Sequence, residues 1–265
     1  MRDDTLRVDR NIIIMAGHQP PVAQQVTSII LLTEPGHAER LIPLLLAHKN
    51  DLIVIQINHP NELLDFPESL LSSGRLISFG SRQYVPEDIL QQFGHGCYEV
   101  RFGPADYPGW AALNFAVYNQ VKQFGVVLHE MLKVIDSGPI IATRHFSCTG
   151  HETLKELTDL TANEALALFA DHALALATQT GRLAATAQAW GQHLYTKWQF
   201  TSFCVIPSDI DKQELHRRIG AFGEGDGQTR PFMISDNRVF IYQAKPLTEH
   251  QDGLVLHDLL FAARK

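Results

Sequence analysis

Three cysteines in 265 residues, Cys97, Cys148 and Cys204, are too few and too scattered for a disulfide framework. No C-x-x-C pair occurs, which excludes a thiolate zinc site of the usual spacing. Long apolar runs are missing too. Ile12–Ala16 and Leu41–Ala47 fall far short of the roughly 20 residues of a membrane span. The opening MRDDTLRVDR mixes both charges, and the apolar run behind it is too short for a secretory h-region of about 7–15 residues. A cytoplasmic protein without membrane contact is therefore expected. Positive charge is also in short supply: 22 basic against 29 acidic side chains give a net charge of −7. A chain built to grip phosphate backbones shows the opposite balance or a basic stripe, so a small-molecule substrate is expected and a nucleic acid is not. The 13 histidines could bind metal, but His129-Glu130 lacks the second His of H-E-x-x-H and no metal is expected. The cluster Gly223–Gly227 lacks the preceding strand, the following helix and the Lys of a phosphate loop.

With 45% hydrophobic and 19% charged residues, the chain is composed like an ordinary globular protein. Its first 26 residues read as an arm, with a short strand at Asn11–Ala16 and a break at Pro20-Pro21. Thereafter continuous apolar runs alternate with helix-spaced segments. Strands are expected at Thr27–Leu32, Asp51–Ile57, Arg75–Phe79, Cys97–Phe102, Val126–Met131 and Pro139–Thr143, the early ones buried on both faces. Helices are expected at His37–His48, partly over Asn61–Leu71, and at Val85–Phe93, Ala111–Phe124 and Thr153–Gln179. This cadence predicts an α/β fold with a Rossmann-like, doubly wound, mostly parallel sheet. From about Trp190 the texture changes to a short helix, Lys212–Ala221, and a strand, Arg238–Tyr242. The expected division is a Rossmann-like domain at 1–190 and a small β-rich domain at 191–265. Ligands in such sheets bind beyond the carboxyl ends of strands, which directs attention to the residues after Arg101.

The segments GPADYPG (103–109), NFAVY (114–118), GVVLHEM (125–131) and DSGPI (136–140) stand in this order. Together they resemble the formyltransferase family, whose members use 10-formyltetrahydrofolate to formylate methionyl-tRNA, amino sugars or glycinamide ribonucleotide. The resemblance covers about Thr27 to Phe146, and Leu215–Phe222 is similar to the short C-terminal domain of many members. It implies 10-formyltetrahydrofolate as donor, a site built on Asp136 with Gly138 and Ile135 toward the folate, and Gly103, Pro104 and Tyr107 toward the acceptor. A homodimer is left open.

The family's centre is an Asn and a His two residues apart on a strand, plus an Asp in a D-x-G-P-I-like turn. Residues i and i+2 of a strand share a face, so both reach one pocket; the Asn steadies the oxyanion and the His moves protons. Here Asp136 holds the Asp position, but Glu99 and Arg101 hold those of the Asn and the His. Arg is permanently protonated and takes no proton from an amine, and an ionised Glu repels a developing oxyanion. Loss of an oxyanion donor costs about 10²–10³ in turnover, and loss of a general base about 10²–10⁴.

Three readings follow. In a rearranged enzyme, Glu99, Arg101 and Asp136 carry the chemistry. In a non-catalytic relative they form a charge network, and the pocket binds a folate, nucleotide or anion without transfer. In the third, Cys97, or Cys148 near His151, is an unrelated nucleophile. Blander roles stand beside these: an ion pair between Glu99 and Arg101, a turn cap at Asp136, packing at Asn114 and Tyr107, and a satisfied core histidine at His129.

Overall fold

The computed structural model describes residues 25–223, 229–244 and 253–264. The expected strand at Asn11–Ala16 and most of the glycine cluster at 223–227 lie outside the described residues. Two sheets organise the rest. The larger has six strands in the order β2-β1-β3-β4-β5-β6: β1 (Ser28–Leu32), β2 (Ile53–Ile57), β3 (Gly74–Phe79), β4 (Cys97–Arg101), β5 (Gln123–Glu130) and β6 (Ile140–Ser147). The first four run parallel, whereas β5 pairs antiparallel with β4 and with β6. The mostly parallel sheet is thus present, with an antiparallel pair at one edge.

Alternation along the strands separates two cores. Ile29, Leu31, Ile77, Phe79, Tyr98 and Val100 meet α1 (Pro35–Leu46) and α5 (Leu154–Thr178) on one face. On the other, Ile30, Leu32, Leu76 and Cys97 meet Leu63, Leu71, Ile89 and Phe93, from a 3₁₀ turn at Pro60–Asp65, α2 (Glu68–Ser72), α3 (Glu87–Leu90) and the turn after α3. Each fully buried side chain of this kind stabilises by about 1.5–3 kcal/mol. Glu99 and Arg101 therefore lie in line with Cys97 on the second face, as period-2 spacing requires. Helix α5 starts where Thr153 and Glu156 close a reciprocal capping box.

Two expected helices are shorter than periodicity suggests. The expected helix at Val85–Phe93 is helical only over α3, because its first residues precede or contain Pro86 and its last ones turn into Gly94 and Gly96. The expected helix at Ala111–Phe124 is helical over α4 (Ala112–Tyr118). It ends because Gln120 takes a left-handed φ of 50°, and Phe124 belongs to β5, fully buried in its own cluster.

After α5 the chain returns along the first sheet before α6 (Lys197–Cys204) and α7 (Lys212–Phe222). The second sheet is antiparallel, in the order β7-β8-β10-β9, from β7 (Phe232–Ser235), β8 (Arg238–Gln243), β9 (Gly253–Leu256) and β10 (Leu259–Ala263). Phe115 of α4, Phe200 of α6 and Phe222 of α7 share one cluster, and Asn114 Nδ2 donates to Ala221 O at 2.8 Å. Asn114 thus ties α4 to α7 rather than setting the Pro/Gly turn.

Candidate active site

Strand β4 ends in Arg101, and the chain turns sharply at once through Gly103-Pro104. The Arg101 side chain fills the inside of that turn. Its Nη1 donates to Pro104 O at 3.4 Å, and its Nη2 donates to Gly109 O at 3.1 Å and to Tyr107 O. A Cβ on Gly103 would stand 2.3 Å from Arg101 Nη1, so the absent side chain is what lets the guanidinium lie there. The residues expected toward the acceptor are thus gathered around Arg101: Pro104 and Tyr107 through their carbonyls, Gly103 through its bare Cα. The Tyr107 ring turns away to stack on Tyr195, at 5.1 Å between centroids.

The turn between β5 and β6 brings Asp136 to the same place. Asp136 adopts a left-handed φ of 50°, a conformation that costs a non-glycine residue energy and that Asp tolerates better than most. Its Oδ2 lies 2.9 Å from Arg101 Nε and accepts the Gly109 N–H, so one carboxylate holds the end of β4 and the Pro/Gly turn together. Burial pushes the Asp136 carboxyl up from its usual range, against the pull of Arg101 and the Gly109 amide. The expected Glu99–Arg101 ion pair is not formed: Arg101 pairs with Asp136. The capping role considered for Asp136 is also replaced, since the amide it accepts belongs to the other turn.

Glu99 faces His129 instead. The two are direct cross-strand partners in the antiparallel β4–β5 pair, with His129 Nε2 3.3 Å from Glu99 Oε2 and 3.9 Å from Asp136 Oδ1. His129 is 2% exposed. Its Nδ1 lies 2.9 Å from Glu130 O, a pure acceptor, so Nδ1 carries the proton in the neutral ring. Although Nε2 is within ion-pair reach of both carboxylates, it makes no hydrogen bond among the described residues; distance is met, direction is not. His129 is therefore not the satisfied core histidine expected. Trp190 covers this corner, its ring edge-on to His129 at 4.9 Å and its Nε1 donating to Gly138 O at 2.8 Å.

Of the residues expected toward a folate, Gly138 packs against β5, where a Cβ would lie 1.8 Å from Glu130 O. Ile135 stands 58% exposed, next to exposed Leu132 and Val134. The thiols lack the setting of nucleophiles: burial pushes Cys97 far up and Cys204 up to about 12, and it raises Cys148 as well. Glu99, His129 and Asp136 present ligand-type atoms all within 4.8 Å of one another, the one such grouping among the described residues. Sequence reasoning missed His129 and Trp190. The GVVLHEM segment gave a signal for the first, but its use depended on strand register.

Comparison with known proteins bears on this arrangement. No family model matches the chain. Over 149 residues it is 27% identical to a methionyl-tRNA formyltransferase of Thermotoga neapolitana, a stretch covering 51% of this chain and 46% of that enzyme. The matched part thus spans about half the length of that curated relative. Among solved structures, a 4-N formyltransferase of Francisella tularensis superposes with a TM-score of 0.58 at 16% identity, over 80% of this chain and 93% of that one. An N-formyltransferase of Helicobacter canadensis, in complex with folinic acid and dTDP-3-aminofucose, gives 0.53 at 13%, over 90% and 99%. The methionyl-tRNA formyltransferase of Clostridium thermocellum gives 0.56 at 13%, over 89% and 96%. The chain has the formyltransferase fold, a mixed sheet flanked by helices with a small antiparallel sheet attached. The sequence resemblance to that family and the structural one agree.

Proposed function

We propose that this protein transfers a formyl group from a 10-formyltetrahydrofolate-type donor to the amine of a small acceptor, an amino sugar carried on a nucleotide, through an altered centre. The observation that carries this reading is the convergence of Asp136 and His129 on the end of β4, in a fold shared with an enzyme crystallised with folinic acid and a dTDP-amino sugar. Formyl transfer joins the acceptor nitrogen to the formyl carbon, releases the folate nitrogen and removes one proton from the amine. Arg101 cannot take that proton, and its three nitrogens are engaged by Asp136 and the turn carbonyls. It acts as a fixed positive charge in a poorly hydrated place, where such a charge favours a developing oxyanion. The lone pair on His129 Nε2 accepts the proton, with Glu99 3.3 Å away to stabilise the imidazolium, and returns it to the folate nitrogen as the bond to the formyl carbon breaks. The net charge of −7 argues for a sugar-type acceptor over a tRNA.

The engagement of Arg101 also favours a second reading, a protein that holds a folate or nucleotide without transfer. Consumption of 10-formyltetrahydrofolate in the presence of dTDP- and UDP-linked amino sugars separates the two. The enzyme reading expects turnover that falls at least about 10²-fold in His129→Gln. Folate binding by calorimetry without turnover replaces it by the second reading, and absence of folate binding rejects both.

A further inference from the structure

We propose that Glu99, His129 and Asp136 form a binding site for one divalent cation of the zinc type. The first ground is His129. With its Nδ1 proton directed at Glu130 O, the neutral ring leaves the buried Nε2 lone pair without a hydrogen-bond partner beside two carboxylate oxygens, at 3.3 and 3.9 Å. Lone pairs converging in a corner this well buried repel one another, and a cation at their meeting point turns that repulsion into three bonds. Metal-bound histidines usually fix their tautomer in this manner, by giving the other ring N–H to a backbone carbonyl or a carboxylate.

Spacing is the second ground. Ligands at 2.0–2.2 Å around a tetrahedral zinc stand about 3.3–3.6 Å apart. The His129–Glu99 separation already matches, and the remaining ones need to close from at most 4.8 Å. Glu99, whose side chain is 20% exposed, can supply the closure on its own side, and the 3.9 Å between the buried His129 and Asp136 needs only a few tenths of an ångström. The same exposed side gives the ion a way in. Arg101 does not compete for the binding atom: it holds Asp136 by Oδ2, and Oδ1 faces His129. One imidazole with two carboxylates suits zinc, which is also held elsewhere by three protein ligands and a water. The surrounding charge favours occupancy, since two carboxylates against one guanidinium leave the cluster one negative charge.

The site uses the same residues as the proposed transfer, but zinc binding does not depend on that transfer taking place. If both hold, Zn²⁺ inhibits transfer, because it engages the nitrogen that accepts the proton; binding itself is measured with neither donor nor acceptor present. The test titrates Zn²⁺ into the full chain against a chromophoric chelator, comparing wild type with Glu99→Gln and His129→Gln. Other histidines can hold zinc weakly, so the readout is the difference between proteins. Outer-shell changes already cost about 10–100-fold in metal affinity, so each variant is expected to lose about 100-fold or more at one stoichiometric site. Co²⁺ is the second probe: the wild type should give the intense visible bands of a four-coordinate ion, and His129→Gln should not. Equal zinc uptake by all three proteins, or only the pale spectrum of six-coordinate cobalt in the wild type, overturns the proposal, a proton then being what lies between these side chains. Should His129→Gln fail to fold, Glu99→Gln decides alone, since it swaps a partly exposed carboxylate for an amide of the same shape.

Discussion

Arg101 and Asp136 form a buried ion pair, Nε to Oδ2 at 2.9 Å, between the end of β4 and the turn that leads into β6. Neither side chain has water to fall back on, with 8% and 2% exposure. Removing one partner of such a pair typically costs about 3–5 kcal/mol, because the other charge stays buried alone. Asp136→Asn should therefore lower the urea midpoint by that equivalent. Combined with Arg101→Met it should cost less than the two single losses added together, with a coupling above about 1 kcal/mol. Additive losses would show that the two charges do not depend on each other.

A second cation is buried more deeply. Arg75 is 0% exposed, and its acceptors are backbone carbonyls: His95, Ala175, Leu176, Gln179 and Gly181. Burial lowers its pKa only to about 10, so it stays charged at neutral pH. Ala175 O also accepts the Gln179 N–H, but the carbonyls after it at the end of α5 have no partner within the helix, and a cation there also opposes the negative end of the helix dipole. Arg75→Met keeps the bulk and removes the donors. Each buried acceptor left unpaired costs about 1–3 kcal/mol, so a total loss of at least about 3 kcal/mol is expected. Amide exchange should quicken at the end of α5 ahead of the rest of the sheet.

These two arginines mark where the sequence could be read and where it could not. Apolar runs and Pro/Gly punctuation located the β1–β4 strands and the Pro/Gly turn; burial on both faces leaves that local pattern in β1, β3 and β4, whereas β2, also expected to be buried, lies at the sheet edge and is only partly covered. The i, i+2 spacing put Glu99 and Arg101 on one face, and the DSGPI turn identified Asp136. What each charge would pair with was not legible, since partners are set by contacts between distant segments. RLISF reads as a strand whether or not Arg75 caps a helix one hundred residues later. Likewise, His129 meets Glu99 only because β5 runs antiparallel to β4 in one particular register. An alternating α/β pattern gives no hint of that reversal.

Introducing the residues of the formyltransferase family that the sequence resembles tests the centre directly. Glu99→Asn with Arg101→His puts a neutral amide and an imidazole where the family carries them, and Asp136 is already placed to hold the new ring. The oxyanion donor and the general base are worth about 10² or more each, so transfer to a suitable amine should rise by about 10² or more. Stability should fall in the same variant, since the carbonyls of Pro104, Tyr107 and Gly109 lose their donor. A folded double variant with unchanged turnover would show that the surrounding pocket no longer seats a donor and an amine.

Acid sensitivity is expected at the entrance to α5. Glu152 loses some hydration there, which raises its pKa, but the N–H groups of Thr149 and Gly150 and the Thr149 hydroxyl outweigh this and hold it down to about 2. A carboxyl held below its unfolded value of 4.5 contributes stability above that value and loses the contribution as pH falls toward about 2. The urea midpoint of the wild type should drop across that window, and Glu152→Gln should flatten this part of the drop while lowering the midpoint at pH 7. Identical pH profiles for the two proteins would remove Glu152 from the acid limb.

Trp190 offers a way to separate the cover of the centre from its chemistry. Its Nε1 donates to Gly138 O, and its ring edge closes over His129. Trp190→Phe keeps an aromatic ring over the imidazole but leaves the Gly138 carbonyl without this donor, at a cost of about 1–2 kcal/mol. The turn carrying Asp136 is then held less firmly, so the affinity of a folate donor should weaken while His129 stays in place. A matched fall in turnover at saturating donor would instead mean that Trp190 orients His129 itself. Donor titrations of the variant, read as KM against kcat, distinguish the two: a raised KM with kept kcat is the expected result.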